Sequence, residues 1–186
     1  MNRRILVIGS LGAAFIAHRF TLAQESLPEP PHMTLRAANG QEQQGGIGTY
    51  CWATACVDKL GTPFPETPLD VAVGDPLLLD ISVLGPVRQL AYDIWPYVPP
   101  RLAPQSPVVD ESAPPLAKRR LRNPDSAISV PIDLPPGIYA IEVFADVRKG
   151  GDTYQGFTIR LLPTGSATPA ATPVSKRGSA TPVAAP

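Results

Sequence analysis

The sequence predicts an all-β protein, built as a single antiparallel, immunoglobulin-like β-sandwich. Apolar residues recur with a period of two, as in Leu69, Val71 and Val73, and turn residues such as Gly74–Pro76 end the short runs. No segment between these turns has the apolar spacing of a long helix. Short strands separated by turns are typical of a sandwich.

The same pattern predicts five further strands, over residues 77–83, 87–95, 128–132, 137–147 and 154–162. We expect the last two to form the final hairpin, joined through Arg148–Asp152. Gly150 and Gly151 in this connection permit the positive φ angles that tight hairpin turns require.

Tyr139 follows Pro136–Gly137 at the start of a predicted strand. This arrangement is similar to the tyrosine corner of immunoglobulin-like sandwiches, in which the phenol bonds to nearby backbone. We therefore expect a structural role for Tyr139.

Residues 1–23 form a predicted signal peptide, with basic Arg3–Arg4, an apolar stretch over Ile5–Ala17 and cleavage between Ala23 and Gln24. The apolar stretch is shorter than the ~18 residues of a membrane span, so no stable membrane anchor is expected after cleavage. We expect the protein to be secreted or associated with the cell envelope.

Cleavage removes three of the 16 basic residues and none of the 16 acidic ones, which leaves a net charge of −3. A charge this small does not indicate a nucleic-acid partner.

The mature chain divides by composition into a Pro-rich leader (24–32), a β-sandwich domain (33–162) and a Thr/Pro/Ala-rich tail (163–186). The tail has too little apolar surface to fold, so we expect it to be disordered, either as a free end or as an O-glycosylated stalk.

A Pro-rich loop (96–115) and the basic stretch Lys118–Arg122 lie between the two halves of the domain. The basic stretch has three interpretations: a solvated loop, a contact for an anionic polymer, or a protease processing site.

Cys51 and Cys56 are the only cysteines, and in an exported chain they predict a disulfide. The bridge would hold Tyr50 and Trp52 in a rigid loop that binds a partner or a sugar face. The competing interpretation is that Trp52 packs inward. Trp95 and Tyr97 are further candidate contacts, because Trp and Tyr are frequent in both interfaces and cores.

Gly48–Trp52 and Cys56–Asp58 together resemble a group of uncharacterised bacterial secreted proteins and lipoproteins. These proteins share a G-x-Y-C-W…C-x-D motif ahead of a β-sandwich domain. Pro136–Tyr139 and Gly150–Phe157 are also similar. The resemblance implies an exported envelope domain and no particular reaction.

We expect no catalytic residue, no metal site and no cofactor. The mature chain has one histidine, His32, in the leader, and no His/Cys cluster has zinc spacing. Three carboxylate pairs could support a hydrolase: Asp70 with Asp75, Asp80 with Asp93, and Asp146 with Asp152.

The sequence thus favours a non-catalytic interaction module that binds an envelope polymer or an extracellular protein. A secreted protease inhibitor, presenting the Cys51–Cys56 loop or the basic stretch, is the first alternative. A small hydrolase is the second.

Overall fold

The computed structural model describes residues 28–97 and 113–164. The predicted signal peptide with its predicted Ala23–Gln24 cleavage site, most of the Pro-rich loop and nearly all of the tail lie outside the described residues. Eleven strands are described: β1 (Thr34–Ala37), β2 (Glu42–Gln44), β3 (Gly46–Trp52), β4 (Ala55–Val57), β5 (Leu69–Ala72), β6 (Leu77–Asp80), β7 (Val87–Pro96), β8 (Ala117–Arg122), β9 (Ala127–Val130), β10 (Gly137–Val147) and β11 (Gly151–Leu162).

The strands form two sheets, and the predicted all-β sandwich is confirmed. The small sheet has the order β2-β1-β6-β9, and every pair in it is antiparallel. The large sheet has the order β4-β3-β11-β10-β7-β8. In addition, β5 pairs with β11 beyond the first residue of β3, in the one parallel pairing among the described strands.

The apolar core lies between the sheets because the residues of each strand alternate between its two faces. The small sheet contributes Leu35, Leu77 and Leu79, all buried. The large sheet contributes the alternating residues of β7, β10 and β11, among them Ile94, Ile141, Phe157 and Ile159. Burial of one face of each sheet explains the period of two in the sequence.

The predicted final hairpin is β10 and β11, which pair without interruption from Gly137–Leu161 to Val147–Gly151. Gly151 has a φ of +119°, and a Cβ atom there would lie 1.8 Å from the Cys51 carbonyl oxygen. Only glycine fits this position, because both the backbone angle and the contact exclude a side chain.

The basic stretch is not a loop. Lys118–Arg122 lies in β8, which pairs with β7 from Ala117–Ile94 to Arg122–Gln89. Of the three interpretations, the solvated loop is wrong, because cross-strand pairing with β7 holds this charged segment extended at the edge of the sheet.

The leader predicted over residues 24–32 is bound to the sandwich at its C-terminal end. Pro30 is buried, the Pro31 carbonyl oxygen accepts a hydrogen bond from Gln155 Nε2 (2.9 Å), and the Met33 backbone N–H donates to Gln155 Oε1 (2.8 Å). His32 Nδ1 donates to the Gly45 carbonyl oxygen at 2.6 Å. Polar contacts, which composition does not reveal, thus bind residues 30–33 to the sandwich.

Two predicted strands are shorter than expected. The strand predicted over 77–83 ends at Asp80, and a 3-10 helix over Ser82–Leu84 follows it. The strand predicted over 128–132 ends at Val130. Among the described residues, none forms a helix with the length and hydropathy of a membrane span.

The Tyr139 hydroxyl donates to the Pro135 carbonyl oxygen at 2.9 Å, the backbone contact expected of a tyrosine corner. We predict that Tyr139→Phe lowers the free energy of unfolding by about 1 kcal/mol, because it removes this one hydrogen bond from a buried ring. Denaturant unfolding measures the change. Tyr154→Phe is the matched control, since its hydroxyl has no hydrogen-bond partner among the described residues and it should change little. Equal losses in the two variants would contradict the prediction.

Gly151→Ala should be more destabilising than Gly74→Ala, although both glycines have positive φ. A Cβ atom at Gly74 meets nothing within 4 Å, so its cost is the backbone strain alone, about 1 kcal/mol. At Gly151 the contact with the Cys51 carbonyl oxygen adds about 1–3 kcal/mol. Denaturant unfolding of the two variants measures the difference, and equal stabilities would show that this contact is unimportant.

Candidate functional site

The predicted disulfide between Cys51 and Cys56 is confirmed. The two residues are direct partners across the β3–β4 hairpin, with Cα atoms 4.0 Å apart. The hairpin is attached to the β10–β11 turn, because the Ala53 backbone N–H donates to the Gly150 carbonyl oxygen at 2.8 Å. The bridge and this bond together hold the end of the large sheet.

Two of the candidate contacts are core residues. Tyr50 is 4% exposed and Trp95 is 8% exposed, so neither side chain offers a surface to a partner. Tyr50 pairs with Thr153 of β11, and both lie on the face turned toward the small sheet. The expectation of a contact role for these two residues was wrong, because apolar burial outweighs their capacity for surface binding.

Trp52 and Tyr97 are half-buried. The Trp52 ring lies against Gly150, where an added Cβ atom would be 2.5 Å from it, and the ring also packs at the margin of the main core. Tyr97 packs beside Trp95 and Phe64 in a second, smaller cluster. The structure therefore places Trp52 largely inward and presents no isolated aromatic loop.

An aromatic pair, half-buried Phe144 and exposed Tyr154, instead lies on the outer face of the large sheet, away from the core. The strand register aligns Arg120 with Ala91, Ala91 with Phe144, and Phe144 with Tyr154. We call these four residues the outer platform. The rings of Phe144 and Tyr154 have centroids 4.9 Å apart and planes tilted by 46°, and Tyr154 is 37% exposed.

The outer platform spans four neighbouring strands, so its row is about 14 Å wide at the usual strand spacing. Ala91 lies between the Arg120 side chain and the Phe144 ring, and it is small and buried. On the far side, β3 carries an irregularity in its pairing opposite Tyr154. Bulges of this kind commonly reorient side chains near binding sites.

One neighbouring part of the outer face is covered by the chain itself. Pro63 and Phe64 lie over Gly156, and Thr62 lies over Gly48, at positions where no side chain would fit. Phe64 also packs on Trp95, whose buried Nε1 has no partner among the described residues. The covering segment, residues 62–64, therefore lies beside the rings of Phe144 and Tyr154.

Charged side chains surround the outer platform. Lys118 Nζ lies 3.4 Å from Asp93 Oδ2, and the Arg88 guanidinium binds Asp146 at 2.5 Å. Asp152 Oδ1 accepts a hydrogen bond from the Cys51 backbone N–H at 3.1 Å. These carboxylates thus have partners within the chain.

Glu142 is the carboxylate next to Phe144 on the outer face, and its Oε1 accepts a hydrogen bond from Thr62 Oγ1. With Asp152, it gives the Tyr154 side of the outer platform a negative character.

Three arginines of β8 differ from Lys118. Arg119, Arg120 and Arg122 are exposed, and none takes part in an ion pair within the described residues. Arg120 and Arg122 lie on the outer face, where they pair with Ala91 and Gln89 of β7. Arg119 pairs with the core residue Tyr92 and therefore belongs to the other face. The β8 side of the outer platform is therefore positively charged.

The pKa of Tyr154 reports this environment. Partial burial of the phenol raises the pKa above its ordinary value, and the negative charges of Glu142 and Asp152 raise it further. The positive charge of Arg120 lowers the pKa of Tyr154. The phenol thus lies between the acidic and the basic side of the same face.

The carboxylate pairs proposed for hydrolysis are differently placed. Asp146 and Asp152 are direct partners on β10 and β11. Asp80 and Asp93 belong to different sheets. Asp70 forms a two-point ion pair with Arg160, at 2.7 and 2.8 Å. No three His, Cys, Asp or Glu side chains within residues 28–97 and 113–164 are grouped as metal ligands.

A cavity of about 430 Å³ at the end of the sandwich is a separate feature. Ile81, Pro86 and Val87 contribute apolar walls, and Arg148 lies at its border. The Arg148 guanidinium donates to Asn123 Oδ1 at 2.8 Å, so its charge is directed toward its own chain. The outer platform is the stronger candidate.

Sequence reasoning did not single out Phe144 or Tyr154, although a signal existed. If Ile141, Val143, Ala145 and Val147 face the core, Phe144 must face outward. Tyr154 follows in the same way from the inward set of β11. The alternation therefore predicts one large aromatic residue on the outward face of each hairpin strand.

Comparison with known proteins gives no family. No family model and no curated protein matches the chain. Among solved structures, it is similar to a LPMO from Kitasatospora papulosa, with 10% identity and a TM-score of 0.36 over 52% of this chain and 51% of that one. It is also similar to an extracellular domain assigned to the one-component system BT4673 of B. thetaiotaomicron, with 13% identity and a TM-score of 0.31.

This second match covers 74% of the chain and only 16% of its counterpart, whereas the first covers about half of each. Likenesses this weak say nothing about what the chain binds.

The position of Tyr154 between opposite charges yields a titration prediction. Arg120→Gln should raise the pKa of Tyr154 further, because it removes the positive charge that stabilises the phenolate. Asp152→Asn should lower it. Ultraviolet absorbance of the phenolate gives the pKa, with Tyr154→Phe identifying its contribution among the five tyrosines. Shifts of the opposite sign in both variants would exclude this electrostatic arrangement.

Proposed function

We propose that this chain is an exported, non-catalytic interaction module, and that the outer platform is its binding surface. One observation carries the proposal: an adjacent pair of aromatic rings, half-buried Phe144 and exposed Tyr154, lies on a sheet face between charged side chains. Aromatic residues with arginine are the residue types that contribute most to binding interfaces.

The cellular location rests on two features of the chain. Residues 1–23 have the pattern of a signal peptide, and the Cys51–Cys56 disulfide is compatible with an oxidising compartment. The partner would then be an envelope polymer or an extracellular protein.

The non-catalytic part of the proposal rests on the available functional groups. Both cysteines form the disulfide, and the His32 ring is bound to the Gly45 carbonyl oxygen. Asp146 and Asp152 meet across the hairpin, yet each is held by a partner in its own chain. Residues in these states support binding and structure more readily than acid–base chemistry.

Co-sedimentation with an envelope fraction from the producing cells tests this proposal. The exported, oxidised chain should pellet with the fraction. Tyr154→Ala should weaken binding by at least tenfold, because a central aromatic contact contributes about 2 kcal/mol. Leu60→Ala, which truncates a fully exposed apolar side chain outside the outer platform, is the matched control.

Circular dichroism must show that both variants remain folded. The proposal fails if Tyr154→Ala binds as the native chain does, or if Leu60→Ala loses as much affinity.

A further inference from the structure

The basic stretch and the aromatic pair, which are far apart in the sequence, lie on one face of the folded chain. Arg120 is separated from Phe144 only by the β7 position that Ala91 occupies. A ligand lying across this row would therefore contact a guanidinium on one side and an aromatic ring on the other.

The unpaired arginines give this face its charge preference. The ion pairs of Lys118 with Asp93 and of Arg88 with Asp146 neutralise their members. Arg120 and Arg122 have no such partner among the described residues, so each could form an ion pair with a negative group on the ligand. A guanidinium binds a carboxylate through two parallel hydrogen bonds, which fixes both position and orientation.

The side of the outer platform that carries Phe144 and Tyr154 favours a different chemical group on the ligand. Phe144 and Tyr154 offer apolar ring faces, while the carboxylates of Glu142 and Asp152 beside them accept hydrogen bonds. A pyranose ring matches both, because it combines an apolar C–H face with hydroxyl donors at its edge.

We infer that the outer platform binds an acidic polysaccharide, with a sugar ring on Phe144 and Tyr154 and a sugar carboxylate on Arg120. Arg122 lies two residues along β8 and receives the next acidic group. This inference rests on the proposed function, since it names the ligand of the same surface. DNA is disfavoured, because its backbone carries a negative charge at every unit but lacks the free sugar hydroxyls that could donate hydrogen bonds to Glu142 and Asp152.

Titration of the exported, oxidised chain with soluble polygalacturonate tests the inference, with neutral dextran and a single-stranded oligonucleotide as comparison polymers. Polygalacturonate should bind, dextran should not, and the oligonucleotide should bind more weakly. The affinity for polygalacturonate should fall about tenfold between roughly 0.05 and 0.5 M sodium chloride, because salt screens the arginine–carboxylate contacts.

Charge-matched variants separate a defined site from a generally basic edge. Arg120→Gln should weaken polygalacturonate binding at least fivefold, and Arg120→Lys should restore part of it. Arg119→Gln removes the same charge from the same strand but from the other face, and should change little. Equal losses for Arg119→Gln and Arg120→Gln would overturn the inference, as would absent polygalacturonate binding or tighter binding of the oligonucleotide.

Competition against the envelope fraction distinguishes failure of this inference from failure of the proposed function. If Tyr154→Ala still abolishes envelope binding but polygalacturonate does not compete, the ligand class is wrong and the interaction module stands. If envelope binding does not depend on Tyr154, both are wrong.

Discussion

The pairing of β10 with β11 is the constraint on which the rest of the structure depends. Every residue of β10 from Gly137 to Val147 has a partner on β11, and the other strands of the large sheet attach on either side. This pairing requires the tight turn at Gly151, where the backbone passes too close to Cys51 for any side chain. The register set at the turn decides which residues face the core and which face outward, because a shift by one residue would exchange the two faces.

Two glutamine side chains complete the sheet where strand pairing is interrupted. Gln43 bonds both the N–H and the carbonyl oxygen of Thr158, in the gap along β11 between the first residue of β3 and the first residue of β5. Gln155 is fully buried and bonds the backbone at Pro31 and Met33. Their amides satisfy buried backbone groups that would otherwise be costly, so the leader becomes part of the domain.

The outer face of the large sheet combines an arginine-rich edge strand with a pair of aromatic rings. An edge strand rich in arginine discourages pairing with other chains, which is a sufficient structural reason for β8 to be basic. The adjacent rings of Phe144 and Tyr154 stabilise the hairpin as a cross-strand pair, but they lie on a face that is normally polar where a sheet is turned to solvent. The charges and the rings together therefore favour binding, whereas the basic edge strand taken alone would not.

The sequence by itself determined the all-β class, the final hairpin, the disulfide and the backbone contact of Tyr139, because each follows from local spacing or from residues close in the chain. It did not determine that Tyr50 and Trp95 are buried, or that Lys118–Arg122 is a strand, because both depend on which strands become neighbours. The alternation within β10 and β11 shows that Phe144 and Tyr154 face outward. Only the tertiary structure brings Arg120 beside them, because β7, from a distant part of the chain, lies between β8 and β10.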